Sequence, residues 1–209
     1  ASGGTTADVL NVNVAASVRV TQSSDANSGS VDQTTHLLNY NTLEAVNITS
    51  SAAPSTLTVR GTNGGDQIAI ANVAGNNNQG RVWVNDGTVM TFNTAGAANF
   101  TNLDVQGRFG DDHFSISPIV NVTITAEGND PTASDTTVVN VTANTTFAPT
   151  SSSAATVTVT GFAPINLVTM EGVTIGGDDT NLTLNVQTPV GLSTPTLTPG
   201  NPADSGDVQ

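Results

Sequence analysis

The chain has 209 residues, of which 36% are hydrophobic and 10% are charged, and four basic residues against 17 acidic ones give a net charge of −13. So few cations disfavour binding to nucleic acid or to anionic lipid, because both need Lys and Arg to neutralise phosphates. The absence of cysteine excludes disulfides and thiolate metal sites. Thr and Val dominate short alternating runs, no apolar stripe of helical period stands out, and no membrane span is recognisable, so the sequence predicts an all-β fold.

Alternating apolar and polar residues predict short strands along most of the chain. In order, these are 9–14, 18–20, 37–40, 43–48, 57–59, 68–71, 81–84, 89–92, 100–105, 114–116, 120–125, 138–141, 156–160, 165–168, 173–175 and 182–186. Asn85-Asp86-Gly87 lies between two of them and predicts a β-hairpin. Residues 23–33 and 75–80 are predicted as loops, and the Pro- and Gly-rich residues 194–209 as a loop or linker.

Two corners of the chain share the pattern G-x-x-G-x-D-x-apolar, at residues 61–68 and 107–114. Each corner joins two alternating runs. Glycine allows the positive φ of a tight turn without a Cβ clash. The pattern therefore predicts a repeated unit of strand, acidic glycine corner and strand.

A longer internal repeat spans most of the chain. Residues 1–48 align with residues 128–175 without a gap at an offset of 127, and the identical positions cluster in two strands, so that Asp8 falls on Asp135 and Glu44 on Glu171. A second echo places residues 128–135 on 200–207. The repeat predicts one long copy at 1–127 with an inserted block at about 62–118, a short copy at 128–199, and the start of a further copy or a linker at 200–209.

Short strands joined by tight corners favour a parallel β-helix or a related solenoid, in which each coil stacks on the previous one. Tandem β-sandwich domains remain the alternative. The hairpin at residues 85–87 requires at least one antiparallel excursion from such a solenoid.

The segments LTVRGTNGGDQIAIA, FTNLDVQGRFGDDHFSIS and TAEGNDPTASDTTVVNVT resemble Gly/Asp-corner repeats of very large secreted and surface proteins of planctomycete-type bacteria, over about residues 37–187. They are also distantly similar to the nonapeptide of calcium β-rolls (RTX-like repeats). Both corners depart from that nonapeptide at its second position, with Thr62 and Arg108 in place of glycine. The resemblance to the surface repeats implies an extracellular or cell-surface structural role and no catalytic chemistry.

The similarity to β-rolls makes the corner carboxylates candidate calcium ligands. They are Asp66, Asp111 and Asp112, and Asp178 and Asp179 form a further oxygen cluster. Calcium takes six to eight oxygen ligands, which one Asp and a few carbonyls rarely supply. The alternative is that these Asp side chains accept hydrogen bonds from turn amides, and no other cofactor is predicted.

Catalytic chemistry is weakly represented. His36 and His113 are the only histidines, and no Ser-His-Asp arrangement can be argued from them. A polysaccharide-acting β-helix enzyme would have to rely on Asp111, Asp112 and Arg108. The sequence therefore predicts a protein that is not an enzyme.

Six formal N-glycosylation sequons occur in the chain. Their acceptor residues are Asn47, Asn99, Asn121, Asn140, Asn144 and Asn181. A chain this rich in Asn, Ser and Thr supplies about this number by chance, so the sequons permit glycosylation without indicating it.

The favoured hypothesis is a structural segment of an extracellular fibre, sheath or surface array. Thr- and Asn-rich strands with few like charges can associate edge to edge, so the predicted partner is the chain itself. A calcium-dependent adhesin or binding module is the second hypothesis, and a polysaccharide or a neighbouring cell surface would then be the partner. The polysaccharide-acting enzyme is the third.

Overall fold

A computed structural model describes residues 7–33, 35–96, 98–130, 134–177 and 183–187, together with the backbone of 197–199 and 206–208. These residues form strands, turns and loops and no helix, which confirms the predicted all-β class. The strands build two mixed sheets of ten strands each.

The described strands are numbered here in chain order. They are β1 (Val9–Val14), β2 (Val18–Gln22), β3 (Gly29–Gln33), β4 (His36–Tyr40), β5 (Ala45–Ser50), β6 (Ser55–Arg60), β7 (Gln67–Val73), β8 (Asn76–Val84), β9 (Val89–Asn93), β10 (Phe100–Gln106), β11 (His113–Ile116), β12 (Thr123–Glu127), β13 (Thr136–Val141), β14 (Thr145–Ser151), β15 (Ala154–Val159), β16 (Ile165–Val168), β17 (Gly172–Gly177), β18 (Leu184–Val186), β19 (Leu197–Pro199) and β20 (Gly206–Val208).

The chain passes back and forth between the two sheets. The first sheet has the order β1-β5-β9-β8-β7-β11-β13-β17-β20-β19, and the second has the order β18-β14-β15-β16-β12-β10-β6-β2-β3-β4. Neighbours such as β1 and β5, β7 and β11, or β6 and β10 are parallel. Parallel neighbours need a crossover connection, and here the crossover runs through the opposite sheet. This layout accommodates both the predicted solenoid and the β-sandwich alternative.

The core lies between the sheets and is built by side chains at alternate positions. Along β6 the residues alternate strictly between buried and half-buried, with Leu57 and Val59 inside. Phe92 of the first sheet meets Phe100 of the second edge to face, with the ring centroids 6.1 Å apart. The period-two pattern of the sequence therefore reports which face of each strand is buried.

The predicted hairpin is confirmed. β8 and β9 pair antiparallel, and Asn85 and Asp86 between them have positive φ angles of 52° and 54°. The N–H of Gly87 donates to the carbonyl of Val84 at 2.9 Å. Two positive φ angles and this hydrogen bond define a type I′ turn, whose twist suits a hairpin. Between β1 and β17 in the first sheet, only β8 runs antiparallel.

Two predicted loops were wrong in part. Asn76–Gly80 open β8, and Gly29–Gln33 form β3. The main chain of these segments completes ladders with neighbouring strands, while most of their side chains stay outside the core. β14 was missed altogether, because its polar residues and Pro149 interrupt the apolar alternation. The predicted loop at 194–209 lies largely outside the described residues, apart from β19 and β20.

A six-strand arrangement occurs twice along the chain, as β1–β6 and as β13–β18. Val9 pairs with Ala45 in β1 and β5, and Thr136 pairs with Gly172 in β13 and β17, at an offset of 127 in both strands. The same offset relates the pairing of β2 with β6 to that of β14 with β18. In both copies two antiparallel pairings follow in the second sheet, β2-β3-β4 and β14-β15-β16. The predicted boundaries of the long and short copies remain predictions.

Candidate functional site

Acidic residues stand immediately before parallel strands of the first sheet. Asp66 precedes β7, Asp112 precedes β11, Asp135 precedes β13 and Glu171 precedes β17. These four strands are successive neighbours in the sheet. The residues that precede them therefore meet along one edge, and we call this set the carboxylate column.

Three of the four carboxylates, those of Asp112, Asp135 and Glu171, accept a main-chain amide at the start of the neighbouring strand. The N–H of Asp66 donates to Oδ1 of Asp112, the N–H of Asp112 donates to Oδ1 of Asp135, and the N–H of Asp135 donates to Oε2 of Glu171, each at 2.8 Å. Hydrogen bonds to an ionised acceptor are stronger than those between neutral groups. The column thus clamps three successive strand pairs at the start of each strand.

The same clamp recurs at the other end of the ladder. The N–H of Asp8 donates to Oε2 of Glu44 at 2.6 Å, as the N–H of Asp135 does to Glu171. The main-chain carbonyls of Asp8 and Asp135 also accept equivalent amides from the next strand. The residues that align in the sequence repeat therefore have matching contacts.

Glycines provide the space for the column. Gly61, Gly107 and Gly128 lie against the carboxylates of Asp66, Asp112 and Asp135, and a Cβ on any of these glycines would come within 3.0 Å of a carboxylate oxygen. The corner pattern predicts positive φ at its glycines instead. In the corner at 107–112, positive φ occurs at Gly110 (101°) and at Arg108 (92°), whereas Gly107 is required by the close approach of the carboxylate.

The three Asp residues of the column are buried, which is electrostatically costly, whereas Glu171 at its end is exposed. Asp112 is 1% exposed, and Oδ2 of Asp112 and Oδ2 of Asp135 accept no hydrogen bond from the described residues. Burial raises the pKa of Asp112 to about 7, and the charges of Asp66, Asp135 and Asp111 add to that rise, while the amide of Asp66 opposes it. Burial also raises the pKa of Asp135, with a smaller contribution from Glu171.

Asp66 is better satisfied than its neighbours in the column. Its carboxylate accepts the N–H and the hydroxyl of Thr62 at 2.7 and 2.8 Å, and it also accepts the side-chain amide of Asn85. The hairpin turn of β8 and β9 therefore joins the end of the column. This contact links the predicted corner at 61–68 to the predicted hairpin.

The three predicted calcium ligands do not meet at one point. Asp66 and Asp112 belong to the column, whereas Asp111 is exposed and accepts the N–H of Ser134 at 2.9 Å. Among the residues described, no group of three or more His, Cys, Asp or Glu side chains is placed to hold a metal ion. These hydrogen bonds match the alternative in which the Asp side chains accept amides, and calcium at these residues remains a prediction. Asp178 and Asp179 lie outside the described residues.

The histidines lie on different sheets. His36 is exposed on β4, where its Nδ1 contacts the hydroxyl of Thr35. His113 is half-buried on β11, and its Nδ1 contacts the hydroxyl of Thr136 at 2.9 Å. Each ring therefore contacts the hydroxyl of a different threonine, and the two histidines do not form a common site.

The predicted glycosylation sites differ in accessibility. Exposed side chains are those of Asn121, Asn140 and Asn144, half-buried ones are those of Asn47 and Asn99, and Asn181 lies outside the described residues. Asn47 donates to Asn11, and Asn99 donates to the carbonyl of Thr94. Glycosylation at any of these positions remains a prediction.

The corner pattern singles out Asp66 and Asp112 but assigns no role to Asp135 or Glu171. The corner motif does not extend to these two residues, because the loop before Asp135 is longer. The internal repeat carried the missing signal, since it aligns Asp135 with Asp8 and Glu171 with Glu44. A clamp in one copy therefore predicts a clamp in the other.

No protein-family model, curated protein or solved structure matches this chain. Within the described residues, no helix is long and apolar enough to cross a membrane. The function is therefore argued from the geometry of the sheets and of the column.

Replacing Gly107 with Ala is expected to destabilise the protein by roughly 2 kcal/mol or more, because the new methyl group would displace the Asp112 carboxylate. Gly64→Ala is the matched control, since a Cβ there would meet nothing within 4 Å. Urea unfolding of both variants measures the difference. Equal stability of the two variants would show that the close approach of Gly107 and Asp112 is unimportant.

The raised pKa of Asp112 makes stability depend on pH. The folded state holds this proton more tightly than the unfolded state, so the contribution is complete below about pH 4 and is lost as the pH rises through about 7. Asp112→Asn keeps an oxygen acceptor for the amide of Asp66 and removes the charge. We expect this variant to lose less stability between pH 5 and pH 8 than the wild type, as measured by urea unfolding.

The control for this pH experiment is Asp111→Asn, which removes an exposed charge next to the column. It is expected to follow the wild-type pH profile closely, because Asp111 is the smallest of the influences on Asp112. A profile of Asp112→Asn parallel to that of the wild type would assign the pH dependence to other groups.

Proposed function

We propose that this chain is a structural segment of an extracellular fibre, sheath or cell-surface array, and that it is built as a solenoid of stacked coils. One coil consists of a passage through the first sheet followed by a passage through the second. The observation that supports this proposal is the recurrence of one arrangement, both in the six-strand repeat and in the amide-to-carboxylate clamps. A fold whose units contact mainly their neighbours can be extended by adding units.

Side chains on the outer faces also form ladders along the stacking direction. Asn47 of β5 donates to Asn11 of β1 at 2.9 Å and accepts the hydroxyl of Thr91 of β9. On the second sheet Arg60 donates to Gln106 of the neighbouring strand at 2.8 Å. Ladders of stacked amides stabilise strands held in register, which supports a mechanical role for the surface.

The features of the column do not favour the enzyme hypothesis. Asp112 is buried, and its carboxylate faces Gly107 and the main chain of Asp66. An enzyme that cleaves a polysaccharide would need carboxylates that the substrate can reach, to protonate or attack the glycosidic bond. The net charge of −13 disfavours nucleic acid as a partner.

If the chain is a fibre segment, the purified protein will form linear assemblies as its concentration rises. Sedimentation would then show a continuous series of oligomers, and electron microscopy would show filaments or strings of uniform width. The physical reason is that strand edges at the ends of the stack can pair with further strands. Discrete monomers at millimolar concentration would contradict the proposal.

The calcium-dependent adhesin is tested by melting the protein with and without a chelator. We expect the melting temperature to be unchanged, because the column carboxylates already accept amide hydrogen bonds. An ion that binds only the folded state and is present at a concentration of 100 times its Kd would add about 2.7 kcal/mol of stability. A drop in melting temperature on chelation that calcium reverses and magnesium does not would favour the adhesin over the fibre segment.

A further inference from the structure

The two copies of the six-strand arrangement differ in the neighbours of their first and fourth strands within the sheets. In the second copy, β13 is covered by β11 and β16 by β12, and both of these neighbours run parallel to the strand they cover. The equivalent strands of the first copy are β1 and β4, which are the terminal strands of their sheets. Among the described strands, none pairs with the outer edge of either.

Both free edges lie at the same end of the molecule. β1 lies beside β5 in the first sheet, and β4, β3 and β2 lie beyond β6 on the corresponding side of the second sheet. β5 and β6 follow each other directly along the chain. The outer edges of β1 and β4 therefore form one surface, which we call the end face.

Burial shows that the end face lacks a neighbour. Leu38 of β4 is 45% exposed, whereas Ile165, the equivalent residue of β16, is fully buried. Val12 of β1 is half-buried, whereas Val139 of β13 is fully buried. The residues are apolar in both copies, and Leu37 beside Leu38 is also 64% exposed. The apolar core is therefore open at this end.

Hydrogen bonding shows the same difference. The N–H of Thr136 donates to the carbonyl of Asp112 at 2.8 Å, and the carboxylate of Asp135 accepts the N–H of Asp112. The equivalents of Thr136 and Asp135 in the first copy are Val9 and Asp8. Since β1 has no described strand on that side, the N–H of Val9 faces outward and the exposed Asp8 carboxylate has the position of an unfilled clamp.

The opposite end of the molecule has the strand direction that the end face needs. The first sheet ends there at β19 and the second at β18. β18 is parallel to β14, and β19 is related to β17 by two antiparallel steps, so both run in the direction of β1 and β4. Inside the molecule, the second copy is contacted in the same way. In the first sheet β11 pairs parallel with β13, and in the second sheet β12 pairs parallel with β16.

We infer that the end face docks a second copy of this chain, stacked head to tail through parallel strand pairing on β1 and β4. This inference rests on the proposed fibre function and names the face and the orientation of the contact. The contact has the same form as the internal pairing of β11 with β13 and of β12 with β16. An amide of the second copy donates a hydrogen bond to the Asp8 carboxylate. A head-to-tail contact leaves one free end on each copy, so it produces an open-ended assembly.

Two substitutions block the end face by different means. Leu38→Lys places a charge at the open end of the core. Asn13→Pro removes a main-chain N–H that faces away from β5. The carbonyls of Asp8 and Val14 accept amides from the β5 segment, and the side of a strand that bonds to a given neighbour alternates along the chain, so Asn13 faces outward. Phe109→Lys is the matched control, since Phe109 is also an exposed apolar residue, at 58%, but lies in the corner at 107–112. Circular dichroism and thermal melting of each variant establish that it folds.

Sedimentation over a range of concentrations is the readout. We expect the wild type and Phe109→Lys to form the same series of oligomers, and each blocking variant to need at least tenfold higher concentration. If the wild type assembles and both blocking variants assemble equally well, the inference is overturned and the fibre proposal stands. If the wild type stays monomeric throughout, both fall.

A single cysteine distinguishes the orientation, because the chain contains none. In a head-to-tail stack, the thiols introduced by Asn13→Cys on neighbouring copies are separated by a whole ladder, roughly 45 Å for ten strands. A disulfide needs Cα atoms about 4.4–6.8 Å apart. Oxidation of the assembled variant is therefore expected to leave the chains uncrosslinked. A disulfide-linked dimer would show that two end faces meet each other and would overturn the head-to-tail contact.

Discussion

The fold depends on one contact, the hydrogen bond from a main-chain amide at the start of one strand to the carboxylate at the start of its neighbour. It recurs at Asp66, Asp112 and Asp135 and again at Asp8. Parallel strands with alternating side chains are sensitive to register, because a shift of one residue exchanges the buried and exposed faces. A carboxylate that recognises one particular amide fixes that register at the edge of the sheet where these strands begin.

This register control carries an electrostatic cost. Three carboxyl groups are almost completely buried, and two of them keep an oxygen without a hydrogen bond from the described residues. Desolvation, with repulsion between the neighbouring charges added to it, raises the pKa of Asp112 and of Asp135. Amide donors and glycines that allow close approach offset part of the cost. Such an arrangement favours one strand register over its alternatives rather than maximal stability.

Local sequence patterns predicted the parts of this structure that local physics decides. The hairpin at Asn85-Asp86 follows from residues that accept positive φ, and the buried faces follow from period-two alternation. The column could not be predicted in the same way, because Asp112 meets Asp66 across 46 residues and Asp135 across 23. The expectation of positive φ at Gly107 was wrong, since what requires this glycine is the close approach of the Asp112 carboxylate from the same corner. β14 was missed because pairing with β15 and β18, rather than its own residues, makes it a strand.

The hairpin of β8 and β9 limits how such a ladder can change its length. From β6 the chain enters the first sheet at β7, returns through β8 and leaves from β9 in its original direction. An insertion of this kind adds strands in pairs, since an odd number would reverse the chain and end the parallel order. With strands about 4.8 Å apart, one such hairpin lengthens its sheet by roughly 10 Å, whereas a further passage through both sheets adds a single strand to each. The lengths of the two sheets can therefore diverge from one another only by whole hairpins.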